Sequence, residues 1–249
     1  MPDALLEVKG LSKSFGALRA SDGIDFDVAE GETHAVIGPN GAGKTTFIGQ
    51  LAGNLRPDAG RILFAGEDIT HLPAPRRARK GLARSFQITS IYPEFTAVHN
   101  VALAVQARAG HSFRFWRAAR SDASLTSPSK DFLDQVGLGK RLHVLAANLA
   151  HGEQRQLEVA MALATSPRLL LLDEPMAGMG AEESQRMIGF LGTLKRRHTM
   201  ILVEHDMDAV FRLADRISVL VYGRLIATGK PEAIRANPEV RVAYLGEDA

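Results

Sequence analysis

Residues Gly38-Pro39-Asn40-Gly41-Ala42-Gly43-Lys44-Thr45 follow the spacing of a glycine, four residues, then Gly-Lys and Ser or Thr. That arrangement suits the grip on a chain of phosphates. Glycines at 38, 41 and 43 let the backbone turn its N–H groups onto phosphate oxygens, helped by the positive end of a helix that follows. Lys44 would neutralise the β- and γ-phosphates of a nucleoside triphosphate, here expected to be ATP. Thr45 would offer a hydroxyl to Mg²⁺, and Thr46 would reach the α-phosphate. A glycine-rich structural turn explains neither the Lys-Thr pair nor the apolar strand ahead of it.

A second group of candidates lies far along the chain. Leu169-Leu170-Leu171-Leu172 runs into Asp173-Glu174-Pro175, which puts two acids at the carboxyl end of a buried strand, where open α/β sheets bind ligands. Asp173 is suited to orient the magnesium shell and Glu174 to polarise the attacking water as a general base. His205 follows another apolar stretch, Met200-Ile201-Leu202-Val203, and should emerge at the same edge, where an imidazole can hydrogen-bond a γ-phosphate.

The elements that must hold these residues can be read from periodicity. Strand patterns occur at Leu6 to Val8, Ile24 to Val28, His34 to Ile37 and Arg61 to Phe64, and a helix is expected from Thr45 to about Asn54. Between residues 88 and 150 the strand pattern stops. His99 to Ala109 and Lys130 to Val136 look helical, joined by a Ser-rich loop, SDASLTSPSK. Then follow a helix from Glu153 to Ala164, the strand at Leu169, a helix from Ala181 to Arg197 and the strand at Met200. Such alternation implies a parallel sheet covered by helices. A hairpin through Tyr222-Gly223-Arg224 and short helices opened by Pro231 and Pro238 complete the chain.

Composition narrows the classes. The 249 residues contain no cysteine, which excludes disulfides, thiolate metal sites and a thiol nucleophile and is compatible with the cytoplasm. The N-terminus has no secretory pattern, and the longest apolar runs fall far short of a membrane span, so any membrane role is expected to pass through a partner. The net charge of +2 gives no reason to expect nucleic acid. The basic runs Arg76 to Lys80 and Arg108 to Arg120, the latter with Phe113, Phe115 and Trp116, read as solvated or partner-facing surface.

Phosphate loops and acid-ended strands also occur in kinases, GTPases and helicases. The segment Leu149-Ala150-His151-Gly152-Glu153-Gln154 resembles the Leu-Ser-Gly-Gly-Gln signature of ATP-binding cassette ATPases. The resemblance covers nearly the whole chain. It matches Phe15 to the aromatic that stacks on adenine, though Tyr is commoner there, Gln87 to the loop glutamine that senses Mg²⁺ and γ-phosphate, and His205 to the switch histidine. Ala177-Gly178-Met179-Gly180 stands in the loop after the carboxylates, where the family usually has Asp or Asn at the position of Gly180. The departures are Ala150 for Ser, His151 for Gly and Glu153 for Gln. Such a signature, and the tail from Ile234 to Glu247, resemble the branched-chain amino acid uptake class.

The resemblance implies an α/β fold with a P-loop NTPase (RecA-like) core, an N-terminal antiparallel β region and an inserted α-helical subdomain. The chain reads as a single domain over 1–249, with a core lobe at approximately 1–88 and 165–249 and the helical subdomain at approximately 89–164. Two cassettes would pair head to tail. Lys44, Thr45, Gln87, Asp173, Glu174 and His205 of one subunit would face Ala150, His151, Gly152 and Glu153 of the other across a shared ATP. The partner is a copy of this chain or a second cassette. Permease subunits in the membrane and, indirectly, a periplasmic solute-binding protein complete the implied assembly, with this chain peripheral on the inner face of the membrane. The cluster Ile91, Tyr92, Phe95 and Val98 is either the surface that receives a permease helix or lobe core. A cassette ATPase without a transport role, and an exporter ATPase, share the same motifs.

Overall fold

The computed structural model describes residues 4–84, 91–109, 123–195 and 197–245. Its centre is a six-stranded sheet in the order β10-β9-β3-β8-β7-β6, formed by β3 (Thr33–Ile37), β6 (Leu82–Arg84), β7 (Leu169–Asp173), β8 (Thr199–Val203), β9 (Arg216–Val221) and β10 (Arg224–Gly229). Five strands are parallel, and β10 returns antiparallel to β9. The return is made at Tyr222 (φ 47°) and Gly223 (φ 79°), the paired left-handed conformations of a tight hairpin. A second, antiparallel sheet in the order β2-β1-β4-β5 contains β1 (Ala4–Phe15), β2 (Leu18–Ala29), β4 (Ala59–Phe64) and β5 (Glu67–Asp68).

Period-two alternation explains how two cores share one sheet. In β7, Leu169 and Leu171 enter the core beneath the antiparallel sheet, while Leu170 and Leu172 enter the core on the opposite face. β8 does the same, with Ile201 and Val203 on the first side and Met200 and Leu202 on the second. All residues of β3, β7 and β8 are buried, as strands covered on both faces require. Helix α1 (Lys44–Ala52) lies in the first core through Phe47, Ile48 and Leu51, each fully buried and contributing roughly 1.5–3 kcal/mol relative to exposure. The second core is closed by α3 (Ala97–Ala109), α4 (Ala123–Gln135), α5 (His151–Ala164) and α6 (Ala181–Leu194). A third, smaller core packs α7 (Met207–Leu213), α8 (Pro231–Ala236) and α9 (Pro238–Leu245) on β3 and β9.

The fold confirms the α/β arrangement and the antiparallel N-terminal sheet, and it corrects three local expectations. The Ser-rich segment is mostly helix, since α4 begins at Ala123 and runs through Pro128. Packing of Leu125 and Leu133 into the lobe outweighs the poor propensity, and Ser129 Oγ donates to the Leu125 carbonyl one turn back at 2.6 Å. Strand β6 has only three residues, too few to leave a period, and is fixed by parallel pairing to β7. The basic run at residues 76–80 is only partly surface. Arg77, in the short helix α2 (Ala74–Arg79), is 1% exposed. It donates to the carbonyls of Gln50, Leu51, Thr70 and Leu72 at 2.7–2.9 Å, closing the last turn of α1. The aromatic part of the basic stretch 108–120 lies outside the described residues.

Candidate nucleotide site

The candidate residues converge because three neighbouring strands end together. In register, Val36 of β3 lies beside Val203 of β8, and Val203 lies beside Asp173 of β7. The glycine loop therefore leaves β3 next to the points where Asp173-Glu174 and Glu204-His205 leave their strands. This is the carboxyl edge at which doubly wound sheets bind ligands.

The loop's glycines are demanded by close packing. A Cβ on Gly38 would lie 2.0 Å from the Leu220 carbonyl oxygen, and one on Gly43, at φ 105°, would lie 2.1 Å from that of Ala20. The loop is thus pressed against β9 and β2, and Gly223 N–H donates to the Ala42 carbonyl at 2.9 Å. Pro39, Asn40 and Gly41 rise from this buried base toward solvent, while Ala42 stays buried. Lys44 opens α1 and is buried, with Nζ donating to the Gly38 and Pro39 carbonyls at 2.6 and 3.0 Å. Burial lowers its pKa, and the charges of Glu174 and Asp173 offset part of that fall, which places the ammonium within the field of both acids. Thr45 is exposed and Thr46 half-buried.

Asp173 ends β7 at 1% exposure. Its Oδ2 accepts from Arg84 Nη2 at 2.8 Å, whereas its Oδ1 is buried without a hydrogen-bond partner among the described residues. A buried carboxylate oxygen with no donor fits a role toward a hydrated cation, and the exposed Thr45 hydroxyl adds a second oxygen of the kind Mg²⁺ takes. Glu174 adopts a left-handed backbone (φ 48°), held where its N–H donates to the Val203 carbonyl at 2.9 Å. A non-glycine residue in that region costs of order 1–3 kcal/mol, and such residues cluster at functional sites.

Two residues of this site escaped the sequence reading. Arg84 is one. The other is Glu204, fully buried, whose Oε1 accepts from Met176 N–H at 3.0 Å and whose Oε2 accepts from His205 and Asp206 N–H at 2.9 and 3.3 Å. One carboxylate thus ties the loop after Glu174 to the turn that carries His205. Burial raises its pKa, against the pull of the three backbone donors. The His205 imidazole stands out from this anchor, 61% exposed, with Nδ1 3.7 Å from Glu204 Oε2 and so beyond hydrogen-bond distance. The signal for Glu204 was an acid closing an apolar strand, the same signal that singled out Asp173.

Ala150, His151, Gly152 and Glu153 gather around a different place, the start of α5. Ala150 has no side-chain acceptor, so the helix is capped from one side only, by Glu153 Oε2 accepting from Ala150 N–H at 3.0 Å. Glu153 Oε1 also accepts from Arg141 Nε at 2.9 Å. The His151 ring packs on Gly178, where a Cβ would meet it at 3.2 Å, and Glu183 covers Gly152 in the same way. Ala150 and His151 are exposed. Phe15, half exposed, ends β1 with Lys13 Nζ 5.6 Å from its ring centre. Gln87 lies outside the described residues.

Comparison with known proteins agrees with this geometry. The family described as "ABC transporter" matches residues 21–177, and "Branched-chain amino acid ATP-binding cassette transporter" matches residues 224–249. The chain belongs to the ABC transporter family and is one of its ATP-binding, ATP-hydrolysing subunits. It is 40% identical to the high-affinity branched-chain amino acid transport ATP-binding protein BraF of Pseudomonas aeruginosa, over 99% of this chain and 100% of the relative. It is 38% identical to LivG of Escherichia coli, a protein of the same description, again over 99% and 100%. Within the family it therefore falls in the branched-chain amino acid transport class. Crystal structures of a nucleotide-free cassette from an ABC transporter and of the ADP conformation of MJ1267 each superpose with a TM-score of 0.86 at 26% identity, covering 98% of this chain and 100% of theirs.

Proposed function

We propose that the chain powers an importer of branched-chain or closely related amino acids by hydrolysing ATP at a site it shares with a second cassette. The convergence of Lys44, Asp173, Glu174 and His205 from three adjacent strand ends carries the reading. Phe15 stacks on adenine. The backbone of Gly38 to Gly43 wraps the phosphates, Lys44 neutralises the β- and γ-phosphates, and Thr46 reaches the α-phosphate. Magnesium, when bound by Thr45 and Asp173 with Gln87 joining them, supplies charge neutralisation at the phosphate oxygens. Glu174 accepts a proton from the attacking water as its oxygen bonds the γ-phosphorus, and the bond from that phosphorus to the β,γ-bridging oxygen breaks. His205 donates to a γ-phosphate oxygen and holds that group in line.

The partner's α5 start, Ala150-His151-Gly152-Glu153, of which Ala150 and His151 are exposed, closes the site over the γ-phosphate, so ATP joins the two cassettes and its hydrolysis releases them. The second cassette is a copy of this chain or a different one. The chain sits peripherally on the cytoplasmic face of the membrane, its core lobe at approximately 1–88 and 165–249 and its helical subdomain at approximately 89–164. Among the described residues no helix is long and apolar enough to cross a membrane, so permease subunits supply the path and a periplasmic protein delivers the solute. Of the cluster Ile91, Tyr92, Phe95 and Val98, Val98 is buried, Ile91 packs on the core and Phe95 is half-buried with its ring centre 5.5 Å from that of Tyr92, which at 55% exposure faces a partner. The full-length likeness to branched-chain transport proteins favours import over a non-transport or exporter role.

Three measurements test this. Lys44→Ala should abolish Mg-ATP turnover, and Glu174→Gln should accumulate an ATP-bound dimer on gel filtration; a monomeric Glu174→Gln chain in saturating Mg-ATP contradicts the shared site. Deleting the gene should reduce uptake of labelled leucine, isoleucine or valine, and unchanged uptake of all three removes the substrate assignment.

A further inference from the structure

The strand pair β1 and β2 runs out beyond the first core. Leu11 and Ile24 are its last buried apolar residues toward the tip, where Phe15 and Leu18 stand 50% and 67% exposed. Polar bonds hold that tip. Asp58 accepts from Lys13 Nζ at 2.6 Å and from Ser14 N–H at 2.7 Å, and Ser21 Oγ donates to Gln50 Oε1 of α1 at 2.7 Å. A third tie crosses to the turn between β9 and β10. Asp22 N–H donates to the Gly223 carbonyl at 2.8 Å, while its Oδ2 accepts from Arg224 Nε at 2.7 Å and its Oδ1 from Arg19 Nη1 at 3.1 Å. The Arg224 hydrogen bond is the main cause holding this carboxyl below its ordinary pKa. The two backbones also touch, since a Cβ on Gly223 would lie 2.9 Å from the Arg19 carbonyl oxygen. From the same turn, Gly223 N–H reaches the Ala42 carbonyl of the glycine loop at 2.9 Å. One glycine thus bonds the phosphate-binding loop with its N–H and the hairpin of Phe15 with its carbonyl.

We propose that Asp22 is a positioning residue that, with the Gly223 turn, fixes the hairpin of Phe15 at a set distance from the phosphate loop, so that one nucleotide engages both. The inference rests on the stacking of Phe15 on adenine given above. Contacts to the base and to the phosphates reinforce each other only when their spacing is set in advance, because ordering a loose hairpin on binding costs part of what the stacking contributes. The tip has no buried apolar side chain to anchor it, and a carboxylate between two guanidiniums supplies a directional substitute. Breaking this clasp frees the tip without unfolding the core, because Arg19 and Arg224 are each 68% exposed and lie outside it.

The test compares ATP with inorganic tripolyphosphate, which suits the glycine loop and has no base. Calorimetric titration of the full chain without Mg²⁺ measures both. Asp22→Ala should weaken ATP binding about fivefold and Arg224→Ala about threefold, the range of exposed ion pairs that act together. Neither should move tripolyphosphate, because the bond from Gly223 to Ala42 is main-chain and survives both substitutions. Arg224→Ala removes only an exposed side chain and carries the comparison if Asp22→Ala does not fold. Phe15→Ala should weaken ATP binding by itself, and Asp22→Ala added to it should bring no further loss, since a hairpin without its ring has nothing to position. A general weakening of the structure would instead act on both ligands and in both backgrounds alike. Equal losses for ATP and tripolyphosphate, no loss for ATP, or an undiminished loss in the Phe15→Ala chain overturns the inference. A Phe15→Ala chain that binds ATP as tightly as the unsubstituted one overturns the stacking assignment beneath it.

Discussion

Replacing Glu204 separates architecture from chemistry at this site, because the residue is assigned no contact with nucleotide. Its carboxylate satisfies three backbone N–H groups, those of Met176, His205 and Asp206. Leaving a buried donor unpaired costs about 1–3 kcal/mol, so Glu204→Ala could reach several kcal/mol, and entry of water brings the expectation down to about 3 kcal/mol. Glu204→Gln turns an amide donor toward at least one of the three N–H groups and should cost about 1–3 kcal/mol. Urea unfolding measures both. Because the pKa of Glu204 is raised above 4.5 by burial, the native chain holds this proton more tightly than the unfolded one. The stabilisation linked to that proton is complete below the unfolded value and is lost as pH rises through the folded value. Gln does not titrate, so the stability gap between Glu204 and Glu204→Gln should be widest below pH 4.5 and narrow as pH rises. In turnover assays the displaced His205 should lower kcat with little change in KM for ATP. A Glu204→Gln chain with unaltered stability at every pH and unaltered kcat would refute the strut.

Gly43→Ala should eliminate nucleotide binding and destabilise the chain, since the added methyl would lie 2.1 Å from the Ala20 carbonyl oxygen at φ 105°; calorimetric titration with ATP and a thermal melt check it. Arg77→Ala should cost about 3 kcal/mol or more in urea unfolding by stranding the carbonyls at the end of α1, and Arg77→Lys should not restore it, because an ammonium cannot span four acceptors as the fork does. Ala150→Ser should retain ATPase activity and raise the melting temperature modestly, because a serine hydroxyl supplies the missing half of the cap at α5, worth about 1 kcal/mol.

What the sequence disclosed follows from what leaves a local trace. The glycine loop is legible because steric demands on backbone act within a few residues. Gly38 and Gly43 have no room for a Cβ, and the Lys-Thr pair follows at fixed spacing. The strands β7 and β8 are legible because burial on both faces leaves apolar runs, 169–172 and 200–203, leading to the carboxyl edge, so Asp173 stands out against four leucines. The second half of α4 was legible, but its first half hid among serines and a proline, held by the burial of Leu125 and by Leu133 joining a core of residues distant in sequence. β6 hid because three residues carry no period.

The positioning residues were illegible for a deeper reason. Arg77, Arg84 and Glu204 are charged, and local composition places charge at the surface. Each is held in the interior by partners far along the chain: Arg77 by carbonyls of α1, Arg84 by Asp173, Glu204 by the N–H of Met176. Withdrawing an ionic group from water is costly unless bonds hold it, so the bonds these three make tie the elements they join into a fixed relation. Arg77 locks the far end of α1, whose near end presents Lys44. Glu204 locks the turn of His205 to the loop after Glu174, and Arg84 locks Asp173 to the end of β6. Residues that would touch ATP could be named from spacing because phosphate chemistry fixes their types. Those that keep them in register are fixed only by the fold, and there a charge with no visible purpose in the sequence marks a joint in the structure.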